Sequence, residues 1–406
     1  MAQFFFILGH QPALSLAELL AVWEKRGWKY SIETLEASFV IAEVNVSEDE
    51  VQKVMKVLGG TIKCGVGRKM SKITKDDALN ELLKTKEKSG NKIYFGLSHY
   101  GSGNIEKALN MPDRVFALEI KRILKGRGYS ARWVQGKEKA LSAVIVAKNH
   151  LLDRGAELVV IDAGECFFLG RSLAVQEFEE FGRRDFGRPE RDARAGMLPP
   201  KLARIMLNLA GVPTGGTILD PFCGAGTMLQ EALMLGYERA WGSDISREAV
   251  EGAESNLRWL QGQTAGVRGE WQVKAGAVED LTDIWGAGTV EGIVSEPYLG
   301  PTRGYLKISK IKKDLKELYE ATLGQAQKVL KPGGVILWLW PQWQLKEGQP
   351  AEIGMIDWRA LGFELEYILP VEWRRKLGAA ETGRGNLIYS RPGQRVGREV
   401  VRLRKV

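Results

Sequence analysis

The chain has 406 residues, 44% of them apolar, and a formal charge of +8 at pH 7. A chain of this length and composition buries a large core and fits two or three domains, which excludes a disordered or fibrous protein. The three cysteines, Cys64, Cys166 and Cys223, are far apart and make no CxxC pair, and only three histidines are present. A disulfide framework, a zinc site and histidine-based catalysis therefore find no support, and no metal is expected. The opening Phe4-Phe5-Phe6-Ile7-Leu8 has no basic flank and no long apolar run, so a cytoplasmic protein without a membrane span is the expectation.

Charge is unevenly spread. Residues 51–150 hold 21 Lys and Arg against 8 Asp and Glu, +13, while the remainder, at 37 against 42, carries −5. Such a basic stretch reads either as a footprint for a phosphate backbone or as a set of solvated helix faces such as Lys84, Lys86 and Lys88.

In chain order, residues 1–66 predict a small α/β unit: strand Phe4–Gly9, helix Ser15–Arg26, strand Ser38–Val46, a helix opening at Ser47, and strand Gly60–Gly65. Glu48, Asp49 and Glu50 in the first turn of the second helix suit its dipole. Two helices against an antiparallel sheet of this size predict a ferredoxin-like arrangement. Residues 70–175 alternate again, with helices near Asp76–Lys86, Pro112–Lys125 and Ser142–Asp153 and strands Ile93–Tyr100, Tyr129–Trp133, Leu158–Asp162 and Cys166–Arg171, which implies a partly parallel sheet. Residues 176–200, rich in Gly, Pro and mixed charge, read as a linker or strap.

From Lys201 the pattern becomes a regular series: helix Lys201–Ala210, strand Thr217–Asp220, helix Thr227–Leu235, strand Arg239–Asp244, helix Arg247–Leu260, strands Trp271–Lys274 and Gly292–Ser295, helix Ile311–Leu330 and strand Val335–Trp340. This predicts a doubly wound sheet over 201–406. Strands Glu364–Val371 and Asn386–Arg391 would form an antiparallel edge pair, joined by a Gly-rich segment, Leu377–Gly385, that reads as a mobile lip. The tail Arg398–Lys405 reads as charge that serves RNA or keeps an edge soluble. Alternation puts Trp338 and Trp340 on one strand face, the usual position of core residues, and leaves Trp343, past the strand end, as a candidate stacking residue.

The most specific signal is Asp220-Pro221-Phe222-Cys223-Gly224-Ala225-Gly226-Thr227, at a strand end and opening a helix. Its glycines let the backbone turn sharply beneath a ligand, and Asp244, in Gly242-Ser243-Asp244-Ile245 at the end of the next strand, can accept both hydroxyls of a ribose. Leu229 stands where a dinucleotide fingerprint needs its third glycine, and there is no P-loop lysine. The phrase resembles motif I of methyltransferases that act on nucleic-acid amino groups. The resemblance implies S-adenosyl-L-methionine as cofactor, with Asp220 near the methionine amino end, Gly224 and Gly226 as floor, Asp244 on the ribose, Phe222, Thr227 and Ile245 in the same site, and Cys223 a packed residue. Where that family places an acid after Gly276 for the adenine amine, this chain has Ala277, and Glu279 or Asp280 is the substitute.

After the strand Ile293-Val294 comes Ser295-Glu296-Pro297-Tyr298, which resembles the Asp/Asn/Ser-Pro-Pro-Tyr loop of amino methyltransferases, with Glu296 in place of the first proline. An exocyclic amine is a weak nucleophile because its lone pair is delocalised into the ring, so acceptors aimed at its N–H bonds help it attack. On this resemblance Tyr298 stacks on the extruded base, Ser295 and the Glu296 carbonyl accept the amine protons, and the Glu296 carboxylate is either a new acceptor or a sign of altered or lost activity.

The strap Arg188-Pro189-Glu190-Arg191-Asp192-Ala193-Arg194-Ala195-Gly196-Met197-Leu198-Pro199-Pro200-Lys201-Leu202-Ala203 resembles the segment before motif I in archaeal and eukaryotic tRNA guanosine N2-methyltransferases, as do Val175-Gln176-Glu177-Phe178, Ile7-Leu8-Gly9-His10-Gln11-Pro12 and Leu58-Gly59-Gly60-Thr61-Ile62-Lys63. The resemblance implies an α/β chain with a Rossmann-like class I methyltransferase sheet, preceded by a ferredoxin-like unit and a THUMP-like RNA-binding unit. It implies tRNA as partner, and it is compatible with a small activating subunit. The basic stretch then becomes RNA-facing, with Lys121, Arg122, Lys125, Arg127, Arg132, Lys137 and Lys139 as candidates. N2-methylation of a tRNA guanosine leads. N6-adenine methylation of DNA, methylation of rRNA, and tRNA binding by a catalytically decayed chain are the competing readings, separated by methyl mapping and by donor binding.

Overall fold

Phe4, Phe5, Phe6, Ile7 and Leu8 are all buried, so the first strand is apolar on both faces and sits centrally in its sheet. The chain is described here by a computed structural model that covers residues 2–84, 91–191, 197–264, 266–301, 308–344, 350–354, 356–391 and 393–406. Two compact units result, Met1–Ser15 with Trp23–Phe178, and Leu16–Val22 with Glu179–Val406.

The first unit opens with β1 (Ala2–Leu8), α1 (Pro12–Lys25), β2 (Tyr30–Glu36), β3 (Phe39–Val44), α2 (Glu48–Val54) and β4 (Thr61–Met70). This is the β-α-β-β-α-β order of a ferredoxin-like unit, with strands ranked β2-β3-β1-β4. Ser47 caps α2 through a reciprocal pair with Glu50, so the sequence signal there is realised as a capping box. Strand β2 escaped the sequence reading because its polar residues, Ser31, Glu33 and Glu36, dilute the apolar pattern.

The chain continues through α3 (Lys75–Leu83), β5 (Lys92–Tyr100), α4 (Ile105–Leu109), α5 (Asp113–Gly126), β6 (Ser130–Val134), α6 (Ala143–Lys148), β7 (Gly155–Asp162) and β8 (Phe167–Val175). β5 runs parallel to β6 and β7, and β8 pairs antiparallel with both β7 and β4. β4 therefore belongs to both halves, and all eight strands form one sheet, β2-β3-β1-β4-β8-β7-β5-β6. A fully buried ion pair lies in this sheet: Lys63 Nζ donates to Glu157 Oε1 at 2.5 Å and to the Leu141 carbonyl. Ser98 and Ser172 donate to the same carboxylate.

The second unit holds α7 (Phe178–Phe186), α8 (Pro200–Ala210), β9 (Thr217–Asp220), α9 (Thr227–Met234), β10 (Arg239–Asp244), α10 (Arg247–Gln263), β11 (Glu270–Ala275), α11 (Leu281–Trp285) and β12 (Val290–Ser295). It closes with α12 (Ile308–Val329), β13 (Leu330–Gln344), β14 (Pro350–Glu352), β15 (Phe363–Glu366), α13 (Val371–Lys376), β16 (Ile388–Tyr389) and β17 (Val396–Lys405). The order β11-β10-β9-β12-β13-β17-β15 is parallel from β11 to β13, and β17 is antiparallel to both its neighbours. This is the Rossmann-like class I methyltransferase sheet. Its strand order reverses beside β9, and open sheets of this type bind ligands outside the strand carboxyl ends at that point.

Three expectations change at the far edge. The segments expected to pair with each other, 364–371 and 386–391, each pair with β17 instead, and the tail read as charge that serves RNA or keeps an edge soluble is the inserted strand. Its arginines are neutralised within the sheet, Arg402 and Arg404 by Glu366. The Gly-rich lip is tied down: Thr382, Arg384 and Asn386 all donate to the buried Glu399 carboxylate, at 2.9, 3.0 and 2.8 Å. Finally, β13 runs on past Trp340, so Trp343 pairs with Val396 and is buried along with Trp338 and Trp340, which removes it as a stacking residue.

Glu157→Ala leaves the Lys63 ammonium buried without its counter-charge. We expect it to destabilise the first unit by about 3–5 kcal/mol, read as a lower urea midpoint for that unit's transition.

Candidate active site

β9 and β12 are adjacent and parallel, with Ile293 opposite Leu219, so their carboxyl ends open side by side. The loops that follow, Asp220–Thr227 and Ser295–Tyr298, are joined by a direct bond: Ser295 Oγ donates to Asp220 Oδ1 at 2.5 Å, and both side chains are buried. The Phe222 N–H donates to the same oxygen at 3.1 Å, with the Phe222 ring packed on the core beneath. Burial pushes the Asp220 carboxyl up to about 7, against the pull of the Ser295 and Phe222 donors.

Gly224 and Gly226 both have positive φ, at 48° and 79°. A Cβ on Gly224 would meet nothing within 4 Å, so the turn faces open space, while one on Gly226 would press on Ala253 at 3.2 Å. Asp244, at the end of β10, accepts from the Gly224 N–H and the Ser246 N–H, each at 3.0 Å. Its remaining lone pairs are free to take hydroxyls. Ile245 beside it is 80% exposed, and Glu279 and Asp280 are both exposed on the following turn. Cys223 is buried, and burial first, then Asp220 and Asp244, raises its thiol pKa, so it has no nucleophilic character.

Thr227 is buried and accepts from Arg188 Nη1 at 2.6 Å. Asn256 of α10 donates to the carbonyls of Ala225 and Glu190, at 2.9 Å each, and accepts from the Glu190 N–H. Glu231, one turn into α9, is buried between Arg184 and Arg204, with N–O distances of 2.5 and 2.6 Å. The strap is thus bolted to the loop and to the helix it opens. Residues 192–196 of the quoted strap lie outside the described residues.

Glu296 does not face the open side. Its Oε1 meets Arg398 Nε of β17 at 2.5 Å, both side chains nearly buried. Burial raises the Glu296 carboxyl and Arg398 opposes that rise. Pro297 is buried, and the Tyr298 carbonyl accepts from the buried Tyr319 hydroxyl at 2.9 Å, which turns the Tyr298 ring outward at 59% exposure. Sequence reasoning missed Arg398, Asn256 and Glu231. The alternation Val401-Arg402-Leu403-Arg404 was the available signal for the first, since it marks a strand that runs through Arg398.

The family described as UPF0020, RMKL-like, methyltransferase domain, matches residues 188–345, which span both loops. The tRNA (guanine(10)-N2)-dimethyltransferase of Pyrococcus abyssi (strain GE5 / Orsay) is 30% identical over 254 residues, 58% of this chain and 71% of that protein. The chain belongs to the tRNA guanine-N2-methyltransferase family. The protein of the same name from Methanothermobacter thermautotrophicus is 36% identical over 172 residues, 42% of this chain and 46% of its own length, so the chain spans about half of that relative. The crystal structure of TrmN from Thermus thermophilus has the same fold, with a TM-score of 0.51 and 18% identity over the whole of both chains. Among the described residues there is no cluster of three potential metal ligands, and no helix is long and apolar enough to cross a membrane.

The folded chain holds the Asp220 proton more tightly than the unfolded chain does, so this group makes stability fall as pH rises from about 4 towards 7. We expect Asp220→Asn to flatten that fall by about 2–3 kcal/mol, measured by urea unfolding at pH 5 and pH 8.

Proposed function

We propose that this protein transfers a methyl group from S-adenosyl-L-methionine to the exocyclic N2 amine of a guanosine in tRNA. The observation that carries the proposal is the buried Ser295–Asp220 bond, which brings a donor-type loop and an amine-acceptor loop together at one end of the sheet. The residues fit the donor: an open turn at Gly224, a carboxylate at Asp244, an exposed apolar side chain at Ile245 and a buried acid at Asp220. When bound, it supplies an electrophilic methyl on a sulfonium. Asp220 lies where the donor's cationic methionine end is expected, and a neighbouring cation favours the ionised carboxyl. Asp244 holds the ribose, with Phe222, Thr227, Gly224 and Gly226 fixing the floor. Glu279 or Asp280 takes the adenine amine in place of the acid that Ala277 lacks.

On the acceptor side, the exposed Tyr298 ring offers a flat surface to the extruded base. The Ser295 hydroxyl proton is donated inward to Asp220, which leaves the Oγ lone pairs, together with the Glu296 backbone carbonyl, to accept from the amine N–H, while the Glu296 carboxylate is taken by Arg398. A bound donor would supply the methyl that the amine nitrogen takes up, its sulfur leaving as the neutral thioether, while Tyr298 and the acceptors at Ser295 and Glu296 hold the amine and its surplus N–H proton passes to water. Most of the acceleration is orientation of amine and methyl group. Arg398 does for the loop what a proline does elsewhere: it fixes the Glu296 backbone by holding its side chain, which argues against decay of the loop.

We further propose that residues 1–66 and 70–175 are a ferredoxin-like and a THUMP-like element that grip the tRNA in the cytoplasm, ahead of the strap at 176–200 and the methyltransferase domain at 201–406. Arg122, Lys125, Arg127, Arg132, Lys137 and Lys139 are exposed and Lys121 half-buried, as a phosphate-contacting face requires.

Nucleosides from tRNA incubated with the protein and donor are expected to contain N2-methylated guanosine by mass spectrometry. Methyl groups on adenine, or donor and tRNA binding with no transfer, would sink the proposal. Asp244→Ala is expected to weaken donor binding by roughly tenfold to a hundredfold, while Tyr298→Ala lowers kcat at least about fivefold with donor affinity unchanged. Arg398→Leu should lower kcat at least about tenfold, and adding Glu296→Pro should restore it. If the double variant stays as slow as the single one, the positioning role of the pair is lost.

A further inference from the structure

The strap is anchored more firmly than a linker needs. Arg184 and Arg204 bury their charges on Glu231, Arg188 reaches Thr227, and Glu190 is held from both its N–H and its carbonyl by Asn256. Between these anchors stands Phe186, at the end of α7, two residues before Arg188. It is 67% exposed, although every neighbouring anchor is buried or bonded. Burying a phenylalanine stabilises a fold, and leaving one exposed on a fixed segment forgoes that gain. The Arg191 guanidinium lies over the ring, 5.2 Å from its centroid.

The surroundings are cationic. Lys201, at the start of α8, has its ammonium pKa lowered by burial and then by the nearby Arg391, with Asp185 opposing. Arg391 is exposed and bonded to the Tyr389 hydroxyl at 2.9 Å, and the tyrosine ring lies beneath its guanidinium. A ring with a guanidinium over it, beside further cations, is the composition of surfaces that take an unpaired base and its phosphates. Arg188 and Glu190 tie this surface to the Asp220–Thr227 loop, and a Cα two residues from Arg188 lies within about 8 Å of it.

We propose that the Phe186–Arg191 pair is a stacking platform for an unpaired nucleobase of the RNA that flanks the methylated nucleotide. This rests on the functional reading above, and it makes the strap a substrate-binding element as well as a connection. Phe186 is then a binding residue for the RNA that touches neither the methyl donor nor the reacting amine.

The test uses the full chain with whole tRNA, comparing wild type with Phe186→Ala, Phe186→Trp and Arg191→Met. Phe186→Ala is expected to raise KM for tRNA at least about fivefold, with kcat and donor affinity within twofold of wild type. Phe186→Trp should keep wild-type KM, because the larger ring still stacks, and Arg191→Met should raise it less than Phe186→Ala does. Unchanged KM in Phe186→Ala overturns the platform, and so does a parallel loss of donor affinity, which would make the side chain part of the fold. Wild-type protein that transfers no methyl group to tRNA, while binding donor and tRNA, overturns the functional reading instead. In that case a direct tRNA binding measurement on Phe186→Ala still decides the platform, which predicts the same fivefold weakening.

Discussion

Ser295 and Asp220 are 75 residues apart in the chain, yet they share a hydrogen bond at the place where β9 and β12 end. Neither side chain reaches solvent, so the bond is made in a low-dielectric setting where a missing partner would be costly. Its consequence is geometric: the loop that carries the glycine turn and the loop that carries Tyr298 are tied to each other where they leave the sheet. A methyl transfer depends on alignment more than on any acid or base, because the amine loses its proton only as or after it attacks. The same bond uses the serine proton and so turns Ser295 Oγ into an oriented acceptor, beside the Glu296 backbone carbonyl, whose position the fold sets without side-chain freedom.

The substitution of Glu296 for proline illustrates how a fold can keep a loop shape by other means. Proline restricts the backbone by its ring alone and costs nothing electrostatically. A glutamate in the same buried place brings a carboxyl that burial pushes towards protonation, and it is retained only because β17 delivers Arg398 against it at 2.5 Å. β17 also carries Glu399, whose carboxylate gathers Thr382, Arg384 and Asn386. Adjacent residues of one strand point to opposite faces, so a single strand fixes the acceptor loop from one face and the 382–386 segment from the other. The last strand of the chain therefore shapes the site, although its sequence reads as solubilising charge.

That difference marks what the sequence discloses and what it does not. The strands β9 and β10 were legible to the residue, since glycine turns and end-of-strand acids are local patterns. The two loops were legible as loops because Gly224, Gly226 and Pro297 encode backbone shape directly. What stayed hidden is every contact in which a charge is satisfied from far along the chain. Arg398 looks the same in a sequence whether it faces water or Glu296, and Glu231 looks like a surface acid although Arg184 and Arg204 enclose it. The burial of Trp343 was illegible for a related reason: its burial depends on β17 pairing beside it, and a strand with three arginines and a lysine does not advertise an interior position.

The enclosed Glu231 bears on why the strap is held by ions at all. Replacing a buried ionic triad with apolar residues of similar volume is often neutral or stabilising, so stability alone does not account for it. Directionality does. Two guanidinium forks on one carboxylate define an orientation that packed methyl groups leave loose, and the orientation here belongs to α9, whose first residue, Thr227, is itself gripped by Arg188. The Phe181 ring lies under both guanidinium groups, at 4.9 Å from Arg184 and 4.7 Å from Arg204, so the forks are clamped from the side as well. A segment fixed in this way transmits any force on its exposed residues straight to the glycine turn, which is what a site that must align two partners within a fraction of an ångström requires.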